Sequence, residues 1–338
     1  MKGMIRVLLF FFGFVVCIAD VSAQTVMPNL QVEKKDKGIL NHLDFSATVG
    51  TMGLGFDFAM PIGNYVKVRA GGTWMPHFRV NVKYELLMSE ASSRQESREK
   101  FDKAAQLLKQ LTNREAQRDI SMMVEPNSNN FKFLVDFFPL RNKNWHVTAG
   151  FYWGNSTFAK AINRTEDMTN LVMVNLYNHI VDQILAGEDI ATFEGETISI
   201  PEQLVDKVKS YGYMSVFMGP WLKDEYDSEG NLIHQKGEGY YLRPSSDNMV
   251  RCNAVVNKFK PYVGIGYSTT FKKGGDTSIS IDAGALLWGG RPSLITHEGI
   301  DIMHSVGKNG GDVEKTVNFI KKFPVYPVVE IKLTQRIF

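Results

Sequence analysis

The stretch YPVVEIKLTQRIF, residues 326–338, alternates apolar and polar side chains with a period of two. Val329, Ile331, Leu333 and Ile337 share one face of an extended strand, and Glu330, Lys332, Thr334 and Arg336 share the other. One face therefore needs hydrocarbon while the opposite face needs charge partners.

The pattern recurs along the chain. Segments 43–50 and 53–60 set Phe45, Ala47, Val49, Leu54, Phe56, Phe58 and Met60 against Asp44, Ser46, Thr48 and Asp57. Segment 65–74 sets Val66, Val68, Ala70 and Trp74 against Lys67 and Arg69, and 131–138 sets Phe131, Phe133, Val135 and Phe137 against Lys132 and Asp136. Segment 145–153 turns His146, Thr148 and Tyr152 to the polar side, and 261–271 and 277–288 follow, with Asp282 on the polar face of the latter. With the ending these make eight segments of the length that crosses a bilayer as a tilted strand, about 9–11 residues.

Soluble sandwiches also alternate, so the choice of solvent rests on other features. MKGMIR carries two cations, an apolar run of thirteen residues follows, and VSA precedes Gln24. This reads as a secretory signal peptide over 1–23, because thirteen residues are too few to span a bilayer as a helix. An acylated Cys17 is the alternative reading of the same leader. Cys252 is then the only mature cysteine, so no intramolecular disulfide holds the exported chain, and the lone thiol is assigned no chemistry. Trp145 and Trp153 share a face eight residues apart. That is about 26 Å along a strand and, at a tilt of about 40°, about 20 Å of depth, close to an apolar band with aromatic girdles. Trp74, Trp145, Trp153 and Tyr326 are the expected girdle residues. Tight connections at 62–64, 140–144 and 272–276 alternate with long ones, as a barrel with short turns at one end and large loops at the other requires.

The ending KFPVYPVVEIKLTQRIF, the segments PYVGIGY and SISIDAGALLWGGRP, and ATVGTMGLGFDFAMPIGNYVKVRAG together resemble small Gram-negative outer-membrane β-barrels, with the transmembrane domain of outer-membrane protein A as the architectural relative. The resemblance covers the strands and not the long connections. It implies outer-membrane lipid and lipopolysaccharide as surroundings and the barrel-assembly machinery as a partner in biogenesis. Such families end on an outward aromatic with a second one two residues earlier; here Ile337 and Gln335 hold those slots and Phe338 is an extra residue.

The expected fold is an all-β membrane barrel, antiparallel and up-and-down, of about eight strands, with helical insertions in long extracellular loops. A periplasmic segment occupies 24–42 and the barrel 43–338, with insertions at 76–130, 155–258 and 290–323 and both termini periplasmic. The count rises to ten or more if FRVNVKYEL, YMSVFMGPWL and the hairpin near Gly230 also cross. The lumen is expected to hold Asp44, Asp57, Asp136, Asp282 and Glu330 against Lys67, Arg69, Lys132, Lys332 and Arg336, in a space only wide enough for side chains. In the loops a helix from about Ser93 to Arg118 carries an apolar stripe of Phe101, Ala104, Ala105, Leu108 and Leu111. Met173, Tyr177, Ile180 and Ile184 mark a second helix, SIPE at 199–202 reads as a capping box, DSEGNLIHQKGEGYYL reads as a hairpin, and 312–322 is a last short helix.

Function follows less directly. A formal net charge of +2 gives no reason to expect nucleic acid as a partner. No cofactor is expected: nucleotide and phosphate-loop fingerprints are absent, His297 and His304 stand seven apart rather than at helical zinc spacing, and 224–231 lacks the glutamate of a calcium loop. His146 lies near Asp136 without a serine motif to complete a triad. The reading is a non-enzymatic membrane anchor or surface interaction protein whose outer cap contacts an extracellular protein, a glycan or lipopolysaccharide; the alternatives are a narrow pore for ions or small solutes and a lipid-modifying enzyme.

Overall fold

The computed structural model describes residues 42–141, 143–188, 190–193, 195–271, 275–308, 312–321 and 325–337. The leader, Cys17, most of segment 24–42 and Phe338 lie outside these residues. None of the described helices is long and apolar enough to cross a membrane.

Eight antiparallel strands close into a barrel in sequential order: β1 (Asp44–Gly50), β2 (Gly53–Pro61), β3 (Val66–Trp74), β4 (Asn129–Phe137), β5 (Trp145–Gly154), β6 (Phe259–Thr270), β7 (Thr277–Leu287) and β8 (Val325–Arg336), with β8 pairing back onto β1. Closure leaves no open edge, the condition under which a sheet tolerates a medium that offers no hydrogen bonds. Burial alternates along each strand as the side chains do. β1 and β2 bury Asp44, Ser46, Thr48 and Asp57 and expose Phe45, Val49, Phe56 and Phe58. A globular protein does the reverse, so the outside of this barrel is built to be wetted by hydrocarbon. Phe131, Val263, Ile265 and Leu333 are each 51% exposed, on strands β4, β6 and β8.

The segments FRVNVKYEL, YMSVFMGPWL and the hairpin near Gly230 do not enter the barrel. They belong to a cap with a core of its own, and the cap is more than helical. Strands Val80–Glu85, Asp119–Pro126, Thr157–Asn163, Arg251–Val255 and Ser293–Thr296 form a five-stranded sheet in that order. They are the neighbours in sequence of β3, β4, β5, β6 and β7, separated from them by breaks of two to five residues. Hydrogen bonds cross the breaks, from Met75 N to Ser128 O (3.1 Å), Asn127 N to Phe158 O (2.7 Å), Val256 N to Ser156 O (2.8 Å) and Asn257 N to Trp288 O (3.2 Å). Five of the eight barrel strands thus continue upward as one wall, bent where Pro76, Pro126 and the Gly289–Gly290 pair interrupt the regular pleat.

The cap core packs on this wall. α1 (Arg94–Thr112) starts at Ser93, whose hydroxyl accepts from Glu96 N at 3.2 Å, and stops at Asn113, which takes the left-handed conformation at φ 56°. It ends well before Arg118, because Asp119 begins a cap strand. Phe101, Ala104, Ala105 and Leu108 are buried, and Leu111 packs beside them half-buried. α2 (Met168–Ala186) buries Met173, Tyr177, Ile180 and Ile184 together with Leu171, Val174 and Val181, and terminates at Gly187, φ 85°. The side-chain amide of Asn178 holds strand Met214–Pro220 in two directions, donating to Met214 O (2.9 Å) and accepting from Met214 N (2.8 Å). α3 (Glu202–Tyr211) begins after Pro201 with no side-chain cap, so the expected capping box at 199–202 is not formed. The expected hairpin over 227–242 divides: Leu232–His234 folds back onto Glu225–Tyr226, whereas Gly239–Leu242 pairs with Met214–Pro220, and α4 (Asp312–Lys321) follows the last cap strand.

Candidate functional site

The barrel interior holds a buried network of ion pairs, and its strands dictate which groups meet. Arg69 on β3 is 2% exposed and sits at the centre. Its Nε lies 2.8 Å from Asp136 Oδ2 and a terminal nitrogen donates to Asp136 Oδ1 at 2.9 Å; the other reaches Asp282 Oδ2 at 3.2 Å and approaches Asp57 Oδ2 at 3.9 Å. Lys132 Nζ lies 3.0 Å from Asp57 Oδ2 and 3.5 Å from Glu330 Oε2, and Lys332 Nζ is 3.0 Å from Asp282 Oδ2. Thr148 donates to Asp136 at 2.7 Å and Tyr152 to Glu330 at 3.4 Å. His146 Nε2 approaches Asp282 Oδ1 at 3.2 Å. Gly266 opposite it leaves the space: a Cβ there would collide with both His146 Nε2 and Asp282 Oδ1.

A second, looser group closes the tight-turn end. Lys67 Nζ donates to Asp44 at 2.8 Å, Arg336 lies 3.9 Å from Asp44, and Ser46 meets Thr334 at 2.8 Å. Lys67 and Arg336 keep 26% and 41% of their side chains exposed, so this layer is wet whereas the Arg69 layer is dry.

Towards the cap the interior turns apolar. Met52, Leu134, Tyr152, Tyr262, Leu286 and Val328 form a buried cluster, with the rings of Tyr152 and Tyr262 5.5 Å apart edge to face. Above them Phe158, Trp288 and Tyr326 pack in a triangle with centroids 4.9–5.4 Å apart. Tyr326 corrects the expected girdle. It shares the inward parity of Val328 and Glu330, and its hydroxyl donates to Thr51 O at 2.7 Å, so it plugs the mouth instead of facing lipid. Trp74 and Trp153 are exposed on the outside at the cap end, and Trp145 is exposed at the other end with Tyr267 5.2 Å away.

Lys260 was not identified from the sequence. It is 1% exposed at the seam between barrel and cap, with Asn130 Oδ1 at 3.0 Å, Asn155 O at 3.2 Å and Lys258 O at 3.4 Å. Its partners are neutral oxygens from three successive strand ends, which makes it a tie across the seam. The signal was present, because Lys260 has the parity of Tyr262.

In the cap, His304 Nδ1 contacts Asp301 Oδ2 at 2.6 Å while His297 lies against Arg251 N. The run at 224–231 is a turn in which Asp227 accepts from Glu229 N and Asn231 N. Among the described residues no group of three or more His, Cys, Asp or Glu side chains is placed to hold a metal ion.

No protein-family model matches the chain, and no curated protein matches it in sequence. Among solved structures it is similar to CarO2 of Acinetobacter baumannii, at 13% identity and a TM-score of 0.37 over 89% of this chain and 100% of that one. It is also similar to CarO of the same organism, at 11% identity and a TM-score of 0.35 over 88% of this chain and 99% of that one.

Proposed function

We propose that this is a non-enzymatic outer-membrane protein whose barrel is a sealed anchor, with both termini in the periplasm and a folded cap presented at the cell surface to another protein or a glycan. The observation that carries the reading is the filling of the lumen. Dry ion pairs around Arg69 lie below an apolar plug of Met52, Leu134, Tyr262, Leu286 and Val328, and the cap core lies above. An eight-stranded barrel has room for such side chains and for little else. The outward apolar belt, closed on all sides and edged by Trp74, Trp145 and Trp153, supports the membrane location.

One feature favours a narrow ion path as the second reading: titratable groups run inward from Asp44 and Lys67 to Glu330 and Tyr152. The apolar plug interrupts them, and ions do not cross a dry hydrocarbon constriction readily. A lipid-modifying enzyme is the weakest reading, since His146 is engaged with Asp282 deep inside the barrel, away from lipid.

Planar-bilayer recording tests the assignment. The purified chain is expected to insert without steady current. Regular ohmic steps that persist after protease removal of contaminating porins would transfer the reading to the pore.

A further inference from the structure

The bend between barrel and cap sheet places a band of charge directly above the lipid-facing belt. The segments involved are 75–79, 125–128, 155–160, 256–258 and 288–292, and they carry Arg79, Lys160, Lys258 and Arg291 against Glu125 alone. Four cations less one carboxylate give +3, with His77 counted neutral. Glu125 stands opposite Lys160 in the register of the cap sheet, with its carboxylate on His77 Nδ1 at 2.5 Å and Arg79 Nε at 3.7 Å. Lys160, Lys258 and Arg291 are exposed and, among the described residues, no carboxylate lies within salt-bridge distance of them.

These three belong to neighbouring parts of the wall. Lys258 precedes Phe259 of β6, Lys160 follows Trp153 of β5 by seven residues, and Arg291 follows Leu287 of β7 by four. Trp153, Phe259 and Leu287 are exposed on the barrel exterior, 52%, 45% and 43% respectively. Hence the cations stand where a bilayer changes from acyl chain to headgroup, on the side of the molecule where the wall continues upward and offers height for a bulky headgroup.

Resting on the membrane location given above, we infer that Lys160, Lys258 and Arg291 form a docking surface for the phosphorylated headgroup of a glycolipid in the outer leaflet. Lipid acyl chains lie on the aromatic belt below, and the phosphates meet the ammonium and guanidinium groups above. The guanidinium suits phosphate because its fork donates two parallel hydrogen bonds. Continuity with the apolar belt selects a lipid over a soluble anion, because a free phosphate gains nothing from Trp153 or Phe259. Each cation near an anionic headgroup layer strengthens attachment about fivefold, and the effect is screened by salt within about a Debye length.

The test uses the full chain inserted into nanodiscs that contain equal amounts of a bis-phosphorylated glycolipid and its dephosphorylated form. Lipids that remain attached are read by native mass spectrometry. The wild type is expected to retain the phosphorylated form in preference by about tenfold or more, a preference that falls with added salt. The combined variant Lys160→Gln, Lys258→Gln, Arg291→Gln is expected to lose it. The combination Lys207→Gln, Lys209→Gln, Lys236→Gln removes the same charge from exposed cap positions and is expected to keep it. Equal retention of both lipids by the wild type, or an unchanged preference in the first variant, overturns the inference. Failure of the wild type to enter nanodiscs at all would instead remove the membrane location on which it rests.

Discussion

Arg69 and Asp136 meet diagonally across the β3–β4 pair: the register sets Lys67 opposite Asp136 and Arg69 opposite Leu134, yet the guanidinium takes both carboxylate oxygens at 2.8 and 2.9 Å. The diagonal reach leaves Lys67 free to turn to Asp44 on the other side, so one strand serves both the dry layer and the wet one. Two charged residues of like parity on β3 therefore divide the lumen into levels.

The dry layer is expected to be intolerant of single deletions. Arg69→Met removes the cation shared by Asp136, Asp282 and Asp57 and strands carboxylates in a medium of low polarity. The expected loss is about 3–5 kcal/mol in urea unfolding from lipid vesicles. Lys67→Met, in the half-exposed layer, is expected to cost under about 1 kcal/mol. Adding Asp136→Leu to Arg69→Met is expected to recover part of the loss, and a strictly additive double variant would contradict the pairing.

Two glycines of the barrel wall are expected to respond differently to the same methyl group. At Gly266 a Cβ runs into His146 Nε2 and Asp282 Oδ1, whereas at Gly72 the nearest atom is Phe56 Cε1 at 3.5 Å, an ordinary contact. Gly266→Ala is expected to destabilise the folded barrel by about 1–3 kcal/mol, and Gly72→Ala to change it little. The shift in the heat-modified gel mobility transition measures both.

The barrel was legible because a period of two survives in every wall strand, and parity alone sorts the lumen charges from the lipid-facing residues. What parity does not say is who meets whom. The Arg69 contacts span β2, β3, β4 and β7 and depend on the stagger of the closed sheet, which no single strand encodes. Tyr326 and Lys260 obey the same rule, since they share the parity of their inward neighbours Val328 and Tyr262. The cap helices show through the spacing of Phe101, Ala104, Ala105 and Leu108. Of the cap sheet only FRVNVKYEL shows, as an alternating stretch that becomes Val80–Glu85; strands such as TFAKAIN and RCNAV turn small residues, Ala161 and Cys252, to the core and lack the strong apolar alternation of the barrel.

Cys252 is expected to be inert in the folded cap. It lies half-buried against the cap core on a strand paired to Ser293–Thr296, and burial, with the Asp301 carboxylate adding to it, pushes its thiol up to about 12. The thiolate is the form that reacts, so iodoacetamide at pH 8 should label it roughly a thousandfold more slowly than an ordinary thiol. Labelling in urea should be complete. Rapid modification under native conditions would mean that the Arg251–Val255 strand opens readily.

The cap is also expected to loosen on acidification before the barrel does. Burial by itself raises the Asp301 carboxyl, but hydrogen bonds from Ser293, His304 and the amides of Leu294 and Met303 outweigh it and hold the group below its ordinary 3.8. A carboxyl depressed in the folded state contributes stability that is present above its unfolded value and is lost as pH falls through the folded one. The window is therefore below about pH 4. The backbone amides of Leu294 and Met303, which donate to Asp301 Oδ1 at 3.1 and 3.0 Å, then lose a charged acceptor, and the contact of Trp221 with Val306 in the same loop loosens with them. Near-ultraviolet circular dichroism of the micelle-bound protein is expected to report this as a loss of aromatic signal below pH 4 with far-ultraviolet strand signal unchanged. Asp301→Asn keeps an acceptor oxygen but no titrating charge, so its signal should start lower and stay flat with pH; the same acid transition in both proteins would assign the loosening to another group.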